Sequence, residues 1–117
     1  MRLDREILKA LPKRRADSHK GTYGKVLCAA GSKNMAGAAY LSAFAAYRTG
    51  AGLVRILTPE DNRVILQQLL PEAVLTTFDP SDPDRSVWRE ALEWADTAAV
   101  GPGLGRGPWA AALVETV

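Results

Sequence analysis

Two glycine-rich segments of this 117-residue chain could contact a phosphorylated ligand. The first, 31–37, lies between a short apolar run and an alanine-rich stretch, and the second, 101–107, follows another apolar run. Glycine lets a backbone approach a phosphate closely, and the first turn of a helix offers free N–H groups and the positive end of the helix dipole. The residues are therefore compatible with an unspecified phosphorylated ligand, although ordinary tight connections explain the same glycines at least as well.

The common nucleotide fingerprints are absent from both segments. A dinucleotide pattern that includes Gly103 and Gly105 would need a glycine at position 108, where the chain has a proline. Neither segment ends in the Gly-Lys-Ser/Thr of a phosphate-binding NTPase loop. Spacing alone therefore identifies no particular nucleotide.

Other residues that could carry chemistry have no obvious partners in the sequence. His19 has no cysteine or histidine neighbour at metal-ligand spacing, which favours a surface or loop-pinning role. Cys28 is the single cysteine and lies in an apolar run, as expected of a buried thiol in a reducing compartment. Asp79, Asp82 and Asp84 alternate with prolines and predict turn and helix-cap residues rather than a cation site. We expect no catalytic residue and no metal ligand in this chain.

The composition argues against nucleic acid and membrane as partners. A hydrophobic content of 47%, a charged content of 24% and a net charge of +2 are those of one globular domain. The basic residues near the N-terminus, among them Arg14, Arg15 and Lys20, predict a solvated face, because no RNA-binding or helix-turn-helix pattern accompanies them. No run reaches the ~20 apolar residues of a membrane span, and no signal-peptide core is present. We expect a cytoplasmic protein.

Alternating strands and helices position the two glycine-rich segments. Apolar runs predict strands near 25–30, 53–58, 72–78 and 97–100. Helical patterns and breakers predict helices over 3–11, 37–49, 59–70, 84–95 and from 108 onwards. This order predicts an α/β layered domain with a mainly parallel sheet. Ligands of such sheets bind beyond the carboxyl ends of the strands, where both glycine-rich segments should lie.

A series of short motifs, in order and at the right spacing, resembles the NAD(P)H-hydrate dehydratase family. The motifs are His19-Lys20-Gly21-Thr22-Tyr23-Gly24-Lys25-Val26-Leu27, Ala30-Gly31-Ser32, Met35-Ala36-Gly37-Ala38-Ala39, Arg48-Thr49-Gly50-Ala51-Gly52-Leu53-Val54, Pro71-Glu72 and Gly101-Pro102-Gly103-Leu104-Gly105. The resemblance implies a three-layer, ribokinase-like α/β fold with a mainly parallel sheet. The family domain is more than twice as long, so residues 1–117 are expected to be the N-terminal part of one such domain, with an incomplete sheet.

The same resemblance implies a role in cofactor repair. Enzymes of this family are hydro-lyases that use ADP or ATP, with Mg²⁺, to dehydrate the S form of hydrated NAD(P)H. It assigns substrate binding to six positions of this sequence, Gly37, Ala38, Ala39, Gly103, Leu104 and Gly105. The catalytic aspartate of the family belongs to the later part of the domain, so this chain alone is expected to be inactive. The intact protein is expected to be a homo-oligomer, and Gly103→Asp is expected to matter only there, by repelling a ligand phosphate.

Two other functions are compatible with the residues. One is a small-molecule kinase of the same fold that phosphorylates a vitamin-precursor alcohol, and the other is a non-catalytic binding or assembly fragment. The motif at 101–105 and the pair Pro71-Glu72 favour the dehydratase over the kinase.

Overall fold

The computed structural model of the protein describes residues 5–11, 13, 16–19 and 23–117, so Arg14, Arg15 and Lys20 lie outside the described residues. Strands and helices alternate along the chain, as predicted. The strands are β1 (Lys25–Ala29), β2 (Leu53–Pro59), β3 (Val74–Phe78) and β4 (Thr97–Val100). The helices are α1 (Arg5–Leu8), α2 (Ala36–Arg48), α3 (Arg63–Leu69), α4 (Arg85–Trp94) and α5 (Pro108–Thr116).

The four strands form one parallel sheet in the order β3-β2-β1-β4. β1 lies inside the sheet, where Cys28 pairs with Ile56 of β2 and with Ala99 of β4. The chain moves from β1 to β2 and β3 on one side and then returns to place β4 on the other side. The predicted parallel sheet is confirmed. The strand order reverses between β1 and β4, which makes their junction the topological switch point.

Helices cover both faces of the sheet and give the three layers that the sequence predicts. On one face, α2 and α3 pack the fully buried Ala39, Ala43 and Leu66 against the strands. On the other face, α4 and α5 contribute Trp88 and Leu113, which are also fully buried. The small residues of α2 let its backbone lie close to the sheet. Burial on both faces is also the reason that β1 is an uninterrupted apolar run from its second residue.

The helix predicted over 59–70 begins later than expected. Pro59 is the last residue of β2, the segment Glu60–Asn62 is a 3₁₀ turn, and the α-helix begins at Arg63. Glu60 accepts a hydrogen bond from the Thr77 hydroxyl of β3 and forms an ion pair with Arg63 at 2.6 Å. The first contact ties the turn to the neighbouring strand, and the second ties it to the first residue of α3.

The N-terminal helix is shorter than the predicted 3–11 segment. From Lys9 onwards the backbone N–H groups bond to the carbonyl oxygen three residues earlier, as in Lys9 to Glu6 at 3.2 Å, which is a series of turns rather than an α-helix. Every residue of α1 is exposed, and a helix this short gains little stability without tertiary packing. Within the described ranges, no helix has both the length and the apolar character needed to cross a membrane.

Strand β4 forms one edge of the sheet and carries none of the features that usually protect an edge. Thr97, Ala98 and Ala99 are exposed and Val100 is half-buried. Edge strands of soluble proteins commonly carry charges, prolines or bulges. A run of small apolar residues is instead typical of a strand inside a parallel sheet. The edge is therefore suited to pairing with a further strand, as expected for an incomplete sheet.

A cationic cluster covers the sheet near the amino ends of β1 and β2. The Arg55 guanidinium lies 4.5 Å from the centroid of the Trp94 ring, and Lys25 lies 5.8 Å from the same centroid. Arg55 Nη1 also donates to Glu90 at 2.9 Å. Among the described residues, the buried Arg55 Nε atom has no hydrogen-bond partner. The cluster fixes the end of α4 against β2.

Candidate functional site

The two glycine-rich segments meet beyond the carboxyl ends of β1 and β4, where the strand order reverses. Gly31 follows β1, and its N–H donates to the Pro102 carbonyl oxygen at 2.8 Å. Gly101 follows β4, and its N–H donates to the Ala29 carbonyl oxygen at 3.2 Å. Open parallel sheets bind ligands at this point. The structure therefore brings both predicted segments to the place where a ligand site is expected.

A second contact, beyond the hydrogen bonds, joins Gly103 to the first turn of α2. Gly103 has a φ of +69°, and a Cβ added there would lie 2.5 Å from the Ala38 Cβ and 3.4 Å from the Met35 carbonyl oxygen. No side chain fits at this position without moving the loop or the helix. The expectation that Gly103→Asp acts only through a ligand phosphate is therefore wrong, because any side chain at 103 first collides with α2.

The amino end of α2 is open to a ligand. Asn34 holds a positive φ of 70° at the turn before the helix, and the N-cap residue Met35 makes no side-chain cap hydrogen bond. Gly37 is exposed, and nothing lies within 4 Å of a Cβ added there. The N–H groups of a first helical turn have no partners inside the helix, and the dipole favours negative charge at this end. The geometry suits an anion such as a phosphate.

Four of the six predicted substrate-binding residues line this surface. Gly37 and Gly105 are exposed, with no atom within 4 Å of an added Cβ at either position. Ala38 and Gly103 are half-buried against each other and join the two segments. Contact of these residues with a substrate remains a prediction. The structure adds that Ala38 and Gly103 must be small because they touch each other.

The other two predicted residues, Ala39 and Leu104, are buried. Ala39 is fully buried on the face covered by α2 and α3, where it packs α2 against the sheet. Leu104 is 4% exposed and belongs to the cluster on the opposite face, although it also lines a depression between the second glycine-rich segment and α5. Their predicted contact with a substrate remains a prediction.

Two open depressions flank the contact between the segments. One, of about 410 Å³, lies between the beginnings of α2 and α3 and includes Lys33 and Asp61. The other, of about 590 Å³, lies between the second glycine-rich segment and α5 and includes Arg106 and Glu115. Each depression has one cationic side chain in its lining. Each lining also has one carboxylate, Asp61 or Glu115, so neither depression carries a net positive charge, and an anion would be attracted only at Lys33 and Arg106 themselves.

Sequence reasoning missed a buried polar pair beneath the first glycine-rich segment. Thr58, the sixth residue of β2, is fully buried, and Asn62 is 1% exposed. Asn62 Nδ2 donates to the Thr58 hydroxyl at 3.0 Å and to the Ser32 carbonyl oxygen at 3.1 Å. The sequence offered no signal for this pair, because the predicted helix already includes Asn62, whereas in the structure Asn62 directly precedes α3. Asn62 makes no side-chain cap hydrogen bond, and its amide points inward instead.

The structure also shows the surroundings of the residues for which the sequence predicts no catalytic or metal-binding role. Cys28 is 1% exposed, and burial raises the pKa of its thiol, which disfavours the nucleophilic thiolate. Asp79 accepts hydrogen bonds from Ser81, and Asp84 accepts hydrogen bonds from Ser86. These bonds lower the pKa of both carboxyl groups, and the serine hydroxyl contributes more than the serine N–H. Asp84 is the N-cap of α4, and Asp79 shapes the turn after β3, as predicted. His19 is exposed.

The fold and the site together define a ribokinase-like α/β protein. A ribokinase-like superfamily protein from Enterococcus faecalis superposes with a TM-score of 0.85 at 29% identity, over 98% of this chain and 39% of that chain. The ADP/ATP-dependent NAD(P)H-hydrate dehydratase from Bacillus subtilis, co-crystallized with ATP and Mg²⁺, superposes with a TM-score of 0.73 at 36% identity, over 92% of this chain and 38% of that chain.

The particular family follows from the sequence comparison. The profile of NAD(P)H-hydrate dehydratase matches residues 26–117. The ADP-dependent (S)-NAD(P)H-hydrate dehydratase from Lactococcus lactis is 40% identical over 102 residues, which are 87% of this chain and 36% of that protein. The chain belongs to the NAD(P)H-hydrate dehydratase family, and the resemblance in its motifs is confirmed. It spans about a fifth to two fifths of the length of the proteins it matches.

Proposed function

We propose that this chain forms the dinucleotide-binding part of an enzyme that dehydrates the S form of hydrated NAD(P)H, with ADP or ATP as the second substrate. The observation that supports the proposal is the contact of Gly103 with Ala38 at the switch point. It joins the two segments to which the family resemblance assigns the substrate. The names of the relatives support the same reaction for the whole protein.

The contribution of this chain to the reaction is binding and orientation. The exposed backbone at Gly37 and Gly105 gives close access to a phosphate, and Lys33 and Arg106 place positive charge on either side. Removal of water also needs an acid held beside the leaving hydroxyl in a site that excludes solvent. The carboxylates that line the two depressions, Asp61 and Glu115, are exposed, so we assign no catalytic role to them.

Magnesium is implied by the family but has no site of its own in the described part of the chain. Mg²⁺ is held by carboxylates together with phosphate oxygens and water. Among residues 5–11, 13, 16–19 and 23–117, no group of three histidine, cysteine, aspartate or glutamate side chains could hold a metal ion. The described residues therefore supply no metal centre made of protein ligands alone, and no step of the proposed role uses one.

The proposal includes the setting of the whole protein. Residues 1–117 supply the N-terminal part of one ribokinase-like domain, and the unprotected β4 edge supports pairing with the rest of its sheet. The intact protein is a homo-oligomer in the cytoplasm. The buried, unpaired thiol of Cys28 supports a reducing compartment.

A chimera provides the test. It consists of this chain followed by the part of the Lactococcus lactis dehydratase that comes after the segment matched here. Hydrated NADH and ADP are added, and the recovery of reduced-nicotinamide absorbance is followed. The chimera should restore NADH, and the 117-residue chain alone should not. The matched control is a Lactococcus remainder without this chain.

The other outcomes separate the remaining functions. A folded chimera that phosphorylates an alcohol and leaves hydrated NADH unchanged would indicate the kinase. A folded chimera that neither binds hydrated NADH nor turns over any substrate would indicate a binding or assembly fragment. Turnover by the purified 117-residue chain would contradict the assignment of catalysis to the rest of the domain.

A further inference from the structure

Asn62 is one of the residues that line the depression between the beginnings of α2 and α3, and its buried amide is positioned to hold the first glycine-rich segment. Both hydrogens of its Nδ2 atom are used, one toward the Thr58 hydroxyl at 3.0 Å and one toward the Ser32 carbonyl oxygen at 3.1 Å. A carbonyl oxygen can only accept, so the atom that faces Ser32 must be the amide nitrogen. Asn62 is 1% exposed, so these bonds form away from water.

Gly31 lies directly on this amide. It has a φ of +83°, and a Cβ added there would lie 3.1 Å from each of Asn62 Nδ2, Thr58 Oγ1 and the Ala39 Cβ. The first glycine-rich segment is thus held from below by the Asn62 amide and its Thr58 partner. The absence of a side chain at Gly31 lets the backbone approach the amide closely. A shift of Asn62 would therefore move Gly31.

Gly31 also contacts the second glycine-rich segment. Its N–H donates to the Pro102 carbonyl oxygen at 2.8 Å. Its Cα would lie 3.4 Å from a Cβ added at Gly103. Two contacts therefore separate Asn62 from the loop that follows β4, and both run through Gly31.

We propose that Asn62 is a positioning residue for the substrate site, because it holds the first glycine-rich segment and, through Gly31, the second. The inference rests on the proposed function only for the identity of the ligand. Both hydrogens of the Asn62 amide nitrogen are used within the protein, so Asn62 acts through Ser32 and Gly31. Its role differs from that of an ordinary core residue because its loss should loosen the loop after β4, to which its side chain makes no hydrogen bond.

Amide hydrogen exchange on the 117-residue chain tests the proposal directly. Asn62→Asp keeps the shape of the side chain but removes both donors and places an oxygen against the Ser32 carbonyl. The control is Tyr47→Phe, which removes a hydrogen bond to the Glu72 carbonyl oxygen (2.9 Å) near the other end of α2. The reporters are the N–H of Gly31 and of Leu104, which donate to Pro102 and to Gly101.

Asn62→Asp should speed exchange at both reporters roughly ten- to hundredfold, because a buried acceptor loses its donor. Tyr47→Phe should leave the exchange rates at both reporters unchanged after correction for the change in global stability. If Asn62→Asp does not fold, Thr58→Val, which removes one acceptor and keeps the volume, should speed both reporters to a smaller extent. Faster exchange at Gly31 without a change at Leu104 would overturn the proposal, as would no change at either.

The chimera gives an independent measurement. There, Asn62→Asp should raise KM for hydrated NADH about tenfold, with a smaller fall in kcat, because a misplaced binding loop weakens substrate binding first. An unchanged KM would contradict the proposal. A chimera that is inactive before any substitution would overturn the proposed function, and the exchange experiment would still decide the role of Asn62.

Discussion

Substitution of Gly103 tests whether close packing against Ala38 holds the second glycine-rich segment against α2. In Gly103→Ala, the new methyl group would start 2.5 Å from the Ala38 Cβ, at a backbone φ of +69°. A positive φ costs a residue with a Cβ about 1 kcal/mol. Overpacking at a rigid contact costs about 1–3 kcal/mol. The free energy of unfolding should therefore fall by about 2–4 kcal/mol.

Gly105 provides a matched control for the backbone cost. It has a similar positive φ of 77°, but nothing lies within 4 Å of an added Cβ. Gly105→Ala should therefore lose only about 1 kcal/mol. The difference between the two variants isolates the collision with α2, since the change in chemistry is the same.

A double variant tests which atom is responsible. Ala38→Gly removes the methyl group that the new side chain meets, at a cost of about 1 kcal/mol for a glycine in a helix. The contacts that remain, to the Gly31 Cα and the Met35 carbonyl oxygen, are at 3.4 Å, which is close to ordinary packing. The double variant should be about 2 kcal/mol more stable than the sum of the single losses predicts.

Urea unfolding of the unaltered chain and of the four variants, followed by tryptophan fluorescence and by circular dichroism, measures these free energies. Equal losses for Gly103→Ala and Gly105→Ala would refute the contact between the segments. A double variant that is simply additive would show that the collision is not with Ala38.

The cap of α4, the Arg55 cluster and the β4 edge each lead to a further prediction. Asp84→Ala should lower the Tm near neutral pH. Hydrogen bonds from the Ser86 hydroxyl and, to a lesser extent, from its N–H lower the pKa of Asp84 below its ordinary value of 3.8. The ionised Asp84 carboxylate therefore stabilises the folded state above pH 3.8, and this contribution is lost as the pH falls through the folded-state pKa. Melting curves across this range check the sign, and a Tm difference that persists in acid contradicts it. Arg55→Met should change the free energy of unfolding in urea by no more than about 1 kcal/mol, because the carboxylate it loses is 63% exposed and the unpaired buried Nε is removed. A larger loss would show that the cluster is worth more than its exposed ion pair. Ala99→Lys should reduce self-association in concentration-dependent light scattering, because a charge on the edge opposes strand pairing. Ala45→Lys, at an exposed position of α2, is its control, and equal scattering from both variants would count against edge pairing.

The fold could be predicted from the sequence because its strands have clear boundaries and a clear apolar pattern. β1 and β2 are nearly continuous apolar runs bounded by glycine and proline, as expected of buried parallel strands. The position of the site followed from the same order, since both glycine-rich segments come directly after a strand. Local pattern and global architecture agree in these elements.

Side-chain direction within the site could not be predicted. α2 is small or apolar on nearly every side, so its sequence does not show that Ala39 faces the sheet while Gly37 faces solvent. Gly103 gives no local sign that it packs on Ala38. The inward direction of Asn62 depends on Ser32, a partner 30 residues away, whereas the local pattern predicts only a residue inside a helix. Each of these features depends on contacts between distant segments.

The position of Cys28 gives the unaltered chain a built-in reporter of its own opening. A thiol reagent can reach this side chain only when α2 moves away from the sheet, because the side chain is 1% exposed and packs in the cluster that α2 covers. No other cysteine competes for the reagent. The rate of labelling therefore measures how often this helical layer opens, while fraying at the β4 edge should leave it unchanged. Each labelled molecule would also be trapped open, because the added group has no space between the sheet and α2.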